Sequence, residues 1–219
     1  CNISLESFHK IAYNCQVEIN DSNIIRLFDQ SEGKIVREII NNEEPLYESF
    51  LFLRAVRPAR LSKYDESVSL HRESFYTKQN YIKYAINIWF PIINVDSKSS
   101  IKFIPKSHKI PDNLIKRTRI KLKNYPIKRF SDGHRIGFFY APKKIISGVN
   151  LKNQKKMLIP PNSFALFSSM LIHGNGTNQN DKVRFAIGWG FLPKSKMKKI
   201  RKVDPRRFKG STNYFKKAG

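Results

Sequence analysis

The chain has 219 residues, enough to bury the core of one domain of ordinary size. Its apolar runs are short and are broken by charge or proline, so the sequence predicts no membrane-spanning helix of about 20 apolar residues. Its two cysteines lie at no spacing typical of metal sites, which argues against a disulfide scaffold and against a zinc site. The first residues show no basic stretch followed by an apolar one, so we expect no secretory signal and a cytoplasmic location.

The second feature of the composition is a large excess of positive charge. Lys and Arg number 41 against 17 Asp and Glu, which gives a formal net charge of +24. Such an excess normally indicates a partner that carries phosphate groups, or an anionic membrane. However, the chain is also rich in Ile and Asn, and these residues together with Lys are what an AT-rich coding sequence produces whatever the function. The sequence leaves both explanations open.

The first predicted element is a short helix within residues 21–34, which has capping residues at its start and Gly33 where the helix would end. From about residue 50, short runs rich in Ile, Phe, Tyr and Val alternate with Pro, Gly, Asn and Ser, a pattern typical of a β-sandwich or barrel. A polar, basic connection at 115–130 is predicted to be exposed. The predicted strands lie near 50–57, 68–76, 82–93, 101–104, 134–140, 156–159, 163–169 and 183–192.

The C-terminal part of the chain loses strand periodicity and gains cations. We therefore expect one domain over residues 1–192, with its β core at about 50–192, followed by a basic tail at 193–219. Cations are also concentrated at 115–129, in a set that includes Lys121, Lys123 and Arg129.

A first candidate site lies in the segment SLHRESFY, where His71 and Glu73 are two positions apart in a run that predicts a strand. Residues i and i+2 of a strand project from the same face, so this imidazole and carboxylate can reach one ion together. His71 is the one histidine of the five that has an acid two positions later. Two histidines and one carboxylate on one face suit a non-haem Fe(II) oxygenase. A surface ion pair is the alternative interpretation.

A second candidate segment is LIHGNGTNQNDKVRFAIGW, in which a strand ends at His173 and another begins near Arg184, 11 residues later. A hairpin of this length can bring both side chains into one pocket. Arginine suits the far end of a dicarboxylate because its planar fork donates two parallel hydrogen bonds. His108 and Arg119 have the same spacing, but they lie in a lysine-rich connection without flanking strands.

Taken together, SLHRESFY, the NIWFPI strand with its FIPKSHK corner, and LIHGNGTNQNDKVRFAIGW resemble the phytanoyl-CoA dioxygenase-like family of Fe(II)/2-oxoglutarate oxygenases in order and spacing. The resemblance covers about residues 66–192. It implies a mainly β fold, a double-stranded β-helix of the jelly-roll or cupin-like type with flanking helices, that holds iron at one end of its interior. It also implies Fe(II), 2-oxoglutarate and O₂ as the reactants that hydroxylate a substrate, with succinate as a second product.

Carried over residue by residue, the resemblance makes His71, Glu73 and His173 the iron ligands and Arg184 the residue that binds the C5 carboxylate of 2-oxoglutarate. Trp89 falls where the family has a tryptophan lining the cosubstrate pocket. Asn175 stands where relatives often carry a serine that touches the cosubstrate.

Two positions depart from the family pattern. The acid is Glu73 where Asp is commoner, and the corner reads Pro-Lys-Ser-His where Pro-Gly-Ser-His is usual. We expect His108 of this corner to be structural, satisfying backbone groups of the turn. Because Glu73 retains a carboxylate where related halogenases leave room for chloride, hydroxylation is favoured over halogenation.

Two other classes of function remain open. One is a cupin-like binding protein of the same fold without turnover. The other is a nucleic-acid-binding module or nucleic-acid-directed oxygenase, which is not favoured because the sequence shows charge but no helix-turn-helix, zinc-ligand or RNA-binding signature. The expected partner is therefore a small molecule, and an anionic one if the cations at 115–129 border the pocket.

Overall fold

The structure is a computed structural model that describes residues 3–61, 69–77, 79–119, 127–128, 130–137, 143–160, 162–197 and 215–218. Lys121, Lys123, Arg129 and most of the basic tail lie outside these residues. The α-helices are α1 (Leu5–Asp21), α2 (Ile24–Ile39) and α3 (Asp132–Arg135). The strands are β1 (Pro45–Glu48), β2 (Phe52–Val56), β3 (Ile86–Ile93), β4 (Ile101–Phe103), β5 (Lys116–Arg119), β6 (Lys143–Ser147), β7 (Lys155–Lys156), β8 (Ala165–Ser168), β9 (His173–Asn175), β10 (Arg184–Pro193) and β11 (Phe215–Lys216).

The described part of the chain is built mainly from antiparallel sheet. The larger sheet has the strand order β11-β1-β10-β3-β8, and β2 also pairs with β10. A smaller sheet has the order β7-β4-β9, and β5 and β6 form a separate two-stranded ribbon. Trp89 and Ala186 of the larger sheet share a buried cluster with Ile101 of the smaller one, so the two sheets pack against each other.

Helix α2 covers the other face of the larger sheet. Its buried residues Ile25, Phe28 and Val36 join the largest cluster of the core, and Phe28 meets the Trp189 ring edge-on at 5.1 Å. Burying an aromatic or aliphatic side chain of this size contributes roughly 1.5–3 kcal/mol. The helix is therefore held by its apolar stripe rather than by capping, and Asn23 at its start makes no side-chain cap.

Helix α1 protects the free edge of β2. Ser4 caps the helix by accepting a hydrogen bond from the Ser7 N–H at 3.0 Å. Farther along, the buried Gln16 accepts from the Leu53 N–H at 3.0 Å, and Asn20 accepts from the Leu51 N–H at 2.7 Å. These amides satisfy backbone donors that an uncovered strand edge would expose.

Most predicted strands of the core are confirmed within a few residues, namely β2, β3, β4, β7, β8 and β10. The prediction of a strand over 68–76 was wrong: His71 forms a single isolated bridge, and Glu73–Phe75 is a 3₁₀ turn. The prediction over 134–140 was wrong for its first residues, which end α3. Residues 138–140 lie outside the described part.

The sequence predicted less α-helix than the structure contains. Helix α1 was not predicted, and α2 runs through Gly33 instead of ending there. A Cβ on Gly33 would meet the side chains of Asp29 and Arg37, which form an ion pair at 2.9 Å. The missing side chain thus leaves room for this pair.

The 115–130 connection is exposed along β5, as expected, although Ile115 and Ile127 are buried. The expected loss of strand structure after Pro193 was wrong at Phe215–Lys216, which pairs with β1. Within the residues described, none of the helices has the length and apolar character needed to cross a membrane.

Candidate metal centre

His71 and His173 lie directly opposite each other at the edge of the smaller sheet. Each backbone N–H donates to the carbonyl of the other residue at 2.8 Å, which forms one antiparallel bridge. Side chains of directly opposite residues lie close together. The two imidazole rings accordingly have their centroids 4.5 Å apart.

Each imidazole is oriented by the carbonyl of the residue two positions earlier. His71 Nδ1 lies 2.7 Å from the Ser69 carbonyl oxygen, and His173 Nδ1 lies 3.0 Å from that of Leu171. A carbonyl oxygen only accepts, so both rings carry their proton on Nδ1. Nε2 of both rings then presents a lone pair, the arrangement that metal-ligating histidines commonly show.

Glu73 completes a group of three possible metal ligands. One Glu73 carboxylate oxygen lies 3.8 Å from His71 Nε2, and the ligand atoms of His71, Glu73 and His173 all lie within 4.8 Å of one another. Glu73 begins a 3₁₀ turn, but its side chain still lies on the same side as that of His71, because Arg72 between the two residues is extended, with φ −131°. His71 and Glu73 therefore share one side and Arg72 points to the other.

The FIPKSHK corner ties both ligand-bearing segments together. Ser107 accepts a hydrogen bond from the Ile172 N–H at 2.8 Å, next to His173. Its carbonyl accepts another from the fully buried Arg72 at 2.7 Å. Arg72 also donates to the Ile110 carbonyl at 2.7 Å and pairs with Asp112 at 3.0 Å. One serine thus fixes the chain beside each of the two candidate histidine ligands.

The expected structural role of the neighbouring His108 was wrong. His108 is exposed, and Ser107 satisfies the backbone instead. Lys106, which stands where the phytanoyl-CoA dioxygenase-like pattern usually has glycine, adopts φ +61°. This left-handed conformation strains a residue with a Cβ, which explains why glycine is preferred there.

Burial keeps both imidazoles neutral. The pKa of His71 is lowered to about 3, mainly because the ring is removed from water. The lowering effect of the nearby His173 is larger than the raising effect of Glu73. Burial also lowers the pKa of His173. Neutral rings are the form that binds a metal ion.

A pocket of about 630 Å³, including the solvent at its mouth, opens onto the three ligands. Its floor is the inward face of the larger sheet, where Gly188 of β10 contributes no side chain between Phe52 of β2 and Trp89 of β3. Phe167 packs edge-on against His173 at 4.8 Å. The pocket can therefore hold an organic molecule beside His71, Glu73 and His173.

The predicted cosubstrate residues lie on one side of this pocket. Trp89 and Asn175 line it, and the Trp89 Nε1 is buried without a hydrogen-bond partner in the described residues. Arg184 is fully buried behind them and does not line the pocket. It donates to the Asn175 side chain at 3.3 Å and to the Ser99 carbonyl at 3.2 Å, while its Nε has no partner within the described chain.

The expected hairpin between His173 and Arg184 was wrong. His173 begins β9 in the smaller sheet and Arg184 begins β10 in the larger one. The segment between them crosses from one sheet to the other, and a hydrogen bond from Arg184 to Asn175 joins the two regions.

Arg54 is a pocket residue that the sequence analysis missed. Among the described residues that line the pocket, it is the one Lys or Arg. Its guanidinium donates to the Ile136 carbonyl at 3.2 Å and stacks over the Phe52 ring at 4.8 Å. The sequence places Arg54 within the predicted strand 50–57, but which face of that strand lines a pocket is set by the packing of the two sheets. Glu48, buried at the far end of β1, also lines the pocket.

Solved structures of similar fold include non-haem enzymes. The non-heme monooxygenase ThoJ in its apo form gives a TM-score of 0.50 at 14% identity, over 72% of this chain and 50% of ThoJ. EvdO2 from Micromonospora carbonacea var. aurantiaca, solved with 2-oxoglutarate, gives 0.53 at 15% identity, over 84% of this chain and 67% of EvdO2. Likeness at this identity shows the fold alone.

The chain covers half the length of ThoJ and about two thirds of that of EvdO2. No family model matches the sequence, and no curated protein is significantly similar to it. The β-rich architecture is thus shared with structures of non-haem enzymes, whereas membership of one family is not shown.

Proposed function

We propose that this chain is a mononuclear Fe(II)- and 2-oxoglutarate-dependent oxygenase that hydroxylates a small molecule. The observation that carries the proposal is the group of His71, Glu73 and His173, whose ligand atoms lie within 4.8 Å of one another in the lining of a pocket. The shared fold with ThoJ and EvdO2 supports it. A phytanoyl-CoA dioxygenase-like double-stranded β-helix is the form of this fold that we propose.

The donor set fits a ferrous ion. Two neutral imidazoles and one carboxylate on one side of a metal leave the opposite positions open, which is the ligand set of many non-haem Fe(II) oxygenases. When bound, iron together with 2-oxoglutarate and O₂ supplies the oxidising chemistry and yields succinate and CO₂. His71 and His173 would hold the ion through Nε2, and the carbonyls of Ser69 and Leu171 keep these rings oriented.

Arg184 is proposed to bind the C5 carboxylate of 2-oxoglutarate. Its guanidinium is fully buried, forms no ion pair with any described acid, and keeps an unpartnered Nε. A buried cation without a counter-charge is costly, and a bound carboxylate would relieve that cost. Since Asn175 separates Arg184 from the pocket, that amide would have to turn aside or share the carboxylate. Trp89 would form one wall of the cosubstrate site.

Hydroxylation is the proposed outcome because Glu73 keeps a carboxylate in the ligand group. Loss of that carboxylate would open a position on the metal for an added anion, such as the chloride for which related halogenases leave room. The side chains that surround the rest of the pocket, among them Phe52, Asn87 and Phe167, mix apolar walls with a few polar groups. Such a lining is typical of a small-molecule site.

The test is a two-stage assay on the full chain. Fe(II) and 2-oxoglutarate are added anaerobically, and we expect the metal-to-ligand absorption band of a chelated 2-oxo acid. Air is then admitted, and succinate is measured with and without candidate metabolites. Absence of the band would contradict the proposal. A band without any succinate would make the chain a binding protein instead.

A further inference from the structure

The end of the pocket that lies at β1 carries a buried acid. Glu48 is the last residue of β1, lines the pocket and is 7% exposed. A carboxylate removed from water favours cations and hydrogen-bond donors in its surroundings. The proposed oxygenase chemistry uses the other acid of the pocket, Glu73, and assigns no role to Glu48.

Glu48 stands at the end of a row of residues that crosses the larger sheet. The register of β1 with β10 places Glu48 beside Gly190, and Gly190 lies opposite Asn87 of β3. Asn87 in turn lies opposite Phe167 of β8. Opposite residues on neighbouring strands share a face, and the three side chains of this row all line the pocket.

Gly190 leaves space between the two polar side chains of the row. A Cβ at this position would lie 3.4 Å from Glu48 Cδ and 3.5 Å from Glu48 Oε1, so the carboxylate reaches over the glycine. Asn87 projects from the next strand, about 5 Å farther across the sheet. The carboxylate and the amide can therefore contact one small group together.

The Asn87 side chain is available for a ligand. It is half-buried, and within the described chain no residue forms a hydrogen bond with its amide. The amide oxygen accepts hydrogen bonds, as does the carboxylate of Glu48. A group that donates several hydrogen bonds would satisfy both acceptors.

The same row leads to the candidate metal centre. Phe167, next to Asn87, packs against the His173 ring at 4.8 Å. Two residues after Phe167, the Ser169 carbonyl accepts a hydrogen bond from the Glu73 N–H at 3.0 Å. One or two strand spacings, about 5–10 Å, thus separate the polar side chains from the ring that touches His173.

The proposed cosubstrate anchor lies at the other end of β10. Arg184 precedes Gly190 by six positions, which corresponds to about 20 Å along a strand. Arg54 lies opposite Ala186, four positions before Gly190 and about 13 Å away. The cationic end and the acidic end of the pocket are therefore separate, and the acidic end is left for a second molecule.

We infer that Glu48 and Asn87 form an amine subsite, which binds a protonated amino group of the primary substrate. The reacting carbon of that substrate would then lie toward His71, Glu73 and His173. The inference rests on the proposed function for the reaction at that carbon, whereas the binding of the amine does not depend on it.

A protonated amine fits the amine subsite better than a hydroxyl group or an anion. An ammonium group has three donors and a positive charge, and hydrogen bonds between ionised groups are about twice as strong as neutral ones. An anion would be repelled by Glu48. None of the cations described within 115–129 lines the pocket, so they offer an anionic substrate no contact there.

The probe is benzylamine, with benzyl alcohol as its uncharged partner of the same shape. Both are titrated by calorimetry into the full chain, without metal and again under anaerobic conditions with Fe(II) and 2-oxoglutarate. The test variant is Glu48→Gln, which keeps the shape of the side chain and removes its charge. The matched control is Glu38→Gln, which removes the same charge from an exposed position on α2.

We expect saturable binding of benzylamine, tighter than that of benzyl alcohol. Glu48→Gln should bind benzylamine at least about tenfold more weakly and benzyl alcohol as before, because it loses a charge-assisted hydrogen bond. Glu38→Gln should bind both as the unmodified chain does. In a second variant, Asn87→Asp, the added carboxylate should tighten benzylamine binding about threefold and leave benzyl alcohol unchanged.

Equal affinity for the amine and the alcohol in the unmodified chain would overturn the amine subsite. A Glu48→Gln variant that weakened both probes equally would reduce Glu48 to a structural role and would overturn it too. If Glu48→Gln does not fold, Asn87→Asp decides, and unchanged benzylamine binding there is the contrary result. Amine binding without the absorption band would sink the proposed oxygenase and leave the subsite standing.

Discussion

Arg184 and Arg54 are two guanidinium groups on one face of the larger sheet. Arg54 lies opposite Ala186, and Arg184 is two positions from Ala186 on the same strand. They differ in surroundings: burial and the nearby Arg54 lower the pKa of Arg184 to about 10, whereas Arg54 reaches the pocket. These surroundings suit Arg184 for the proposed role of a cosubstrate anchor deep in the fold, and Arg54 for contact with a ligand in the pocket.

We predict that Arg184→Leu weakens 2-oxoglutarate binding at least about tenfold. A buried carboxylate deprived of its charged partner costs about 2–5 kcal/mol, and about 1.4 kcal/mol corresponds to one decade. Titration of the Fe(II) protein through its absorption band measures this. Arg135→Leu, an exposed arginine that stacks on Tyr13, is the control and should have no effect.

An unchanged affinity in Arg184→Leu would move the anchor elsewhere. Neither Lys102 nor Arg135 lines the pocket. Arg54 does, so Arg54→Leu would be the variant to lose affinity in that case.

The pKa of His71 predicts how the metal-free protein responds to acid. The value falls from 6.5 in a free side chain to about 3 in the fold, mainly because the ring is buried. The unfolded chain therefore binds a proton that the folded chain refuses between these values, and stability falls as the pH decreases through that range. At pH 5 the loss from His71 is about 2 kcal/mol.

Urea unfolding of the metal-free chain at pH 7 and pH 5 measures this loss. We expect His71→Gln to reduce the difference between the two pH values, because the glutamine does not titrate. His108→Gln, which removes an exposed histidine, should leave the difference unchanged. If the stability of His71→Gln fell as much between pH 7 and pH 5 as that of the unmodified chain, the lowered pKa of His71 would be contradicted.

At the scale of single elements, we expect that a substitution at Lys106 can increase the stability of the protein. Lys106→Gly should raise the free energy of unfolding by about 1 kcal/mol, because glycine adopts the left-handed conformation of this position without steric cost. Lys106→Ala retains the Cβ and should give no such gain. Denaturation curves of both variants measure the difference, and equal stability of the two would show that the turn is not strained.

The sequence predicted that the side chains of the two candidate metal ligands share one side of the chain. This prediction holds although the predicted strand was wrong. His71 and Glu73 were assigned to a strand, whereas Glu73 begins a 3₁₀ turn. What places both side chains on one side is the single extended residue between them, and the i, i+2 rule needs no more than that.

Other elements could not be predicted because tertiary contacts form them. The polar residues Gln16 and Asn20 weaken the apolar pattern of α1, yet they are the groups that satisfy β2. Gly33 signals a helix end in isolation, but inside α2 it makes room for the Asp29–Arg37 pair. Neither reason is visible without the partner that each residue contacts.

At the scale of the whole molecule, the sequence predicts a β-rich chain whose two ligand-bearing segments meet, and the structure brings His71 and His173 into one bridge. It does not predict how they meet. The route from His173 to Arg184 is a crossing between sheets rather than a hairpin. Arg54 was missed because its pocket position depends on the packing of two sheets, which local pattern cannot encode.

The proposed oxygenase function depends most directly on His71, Glu73 and His173 as ligands of one ferrous ion. Anaerobic titration with Fe(II), followed by removal of unbound metal and iron analysis, tests it in the unmodified chain and in single His71→Ala, Glu73→Ala and His173→Ala variants. His108→Ala, an exposed histidine of the corner beside the site, is the control. We predict one iron per chain for the unmodified protein and for the His108→Ala control. We expect His71→Ala and His173→Ala each to bind iron with at least tenfold weaker affinity. One iron per chain at unchanged affinity in His173→Ala would contradict it.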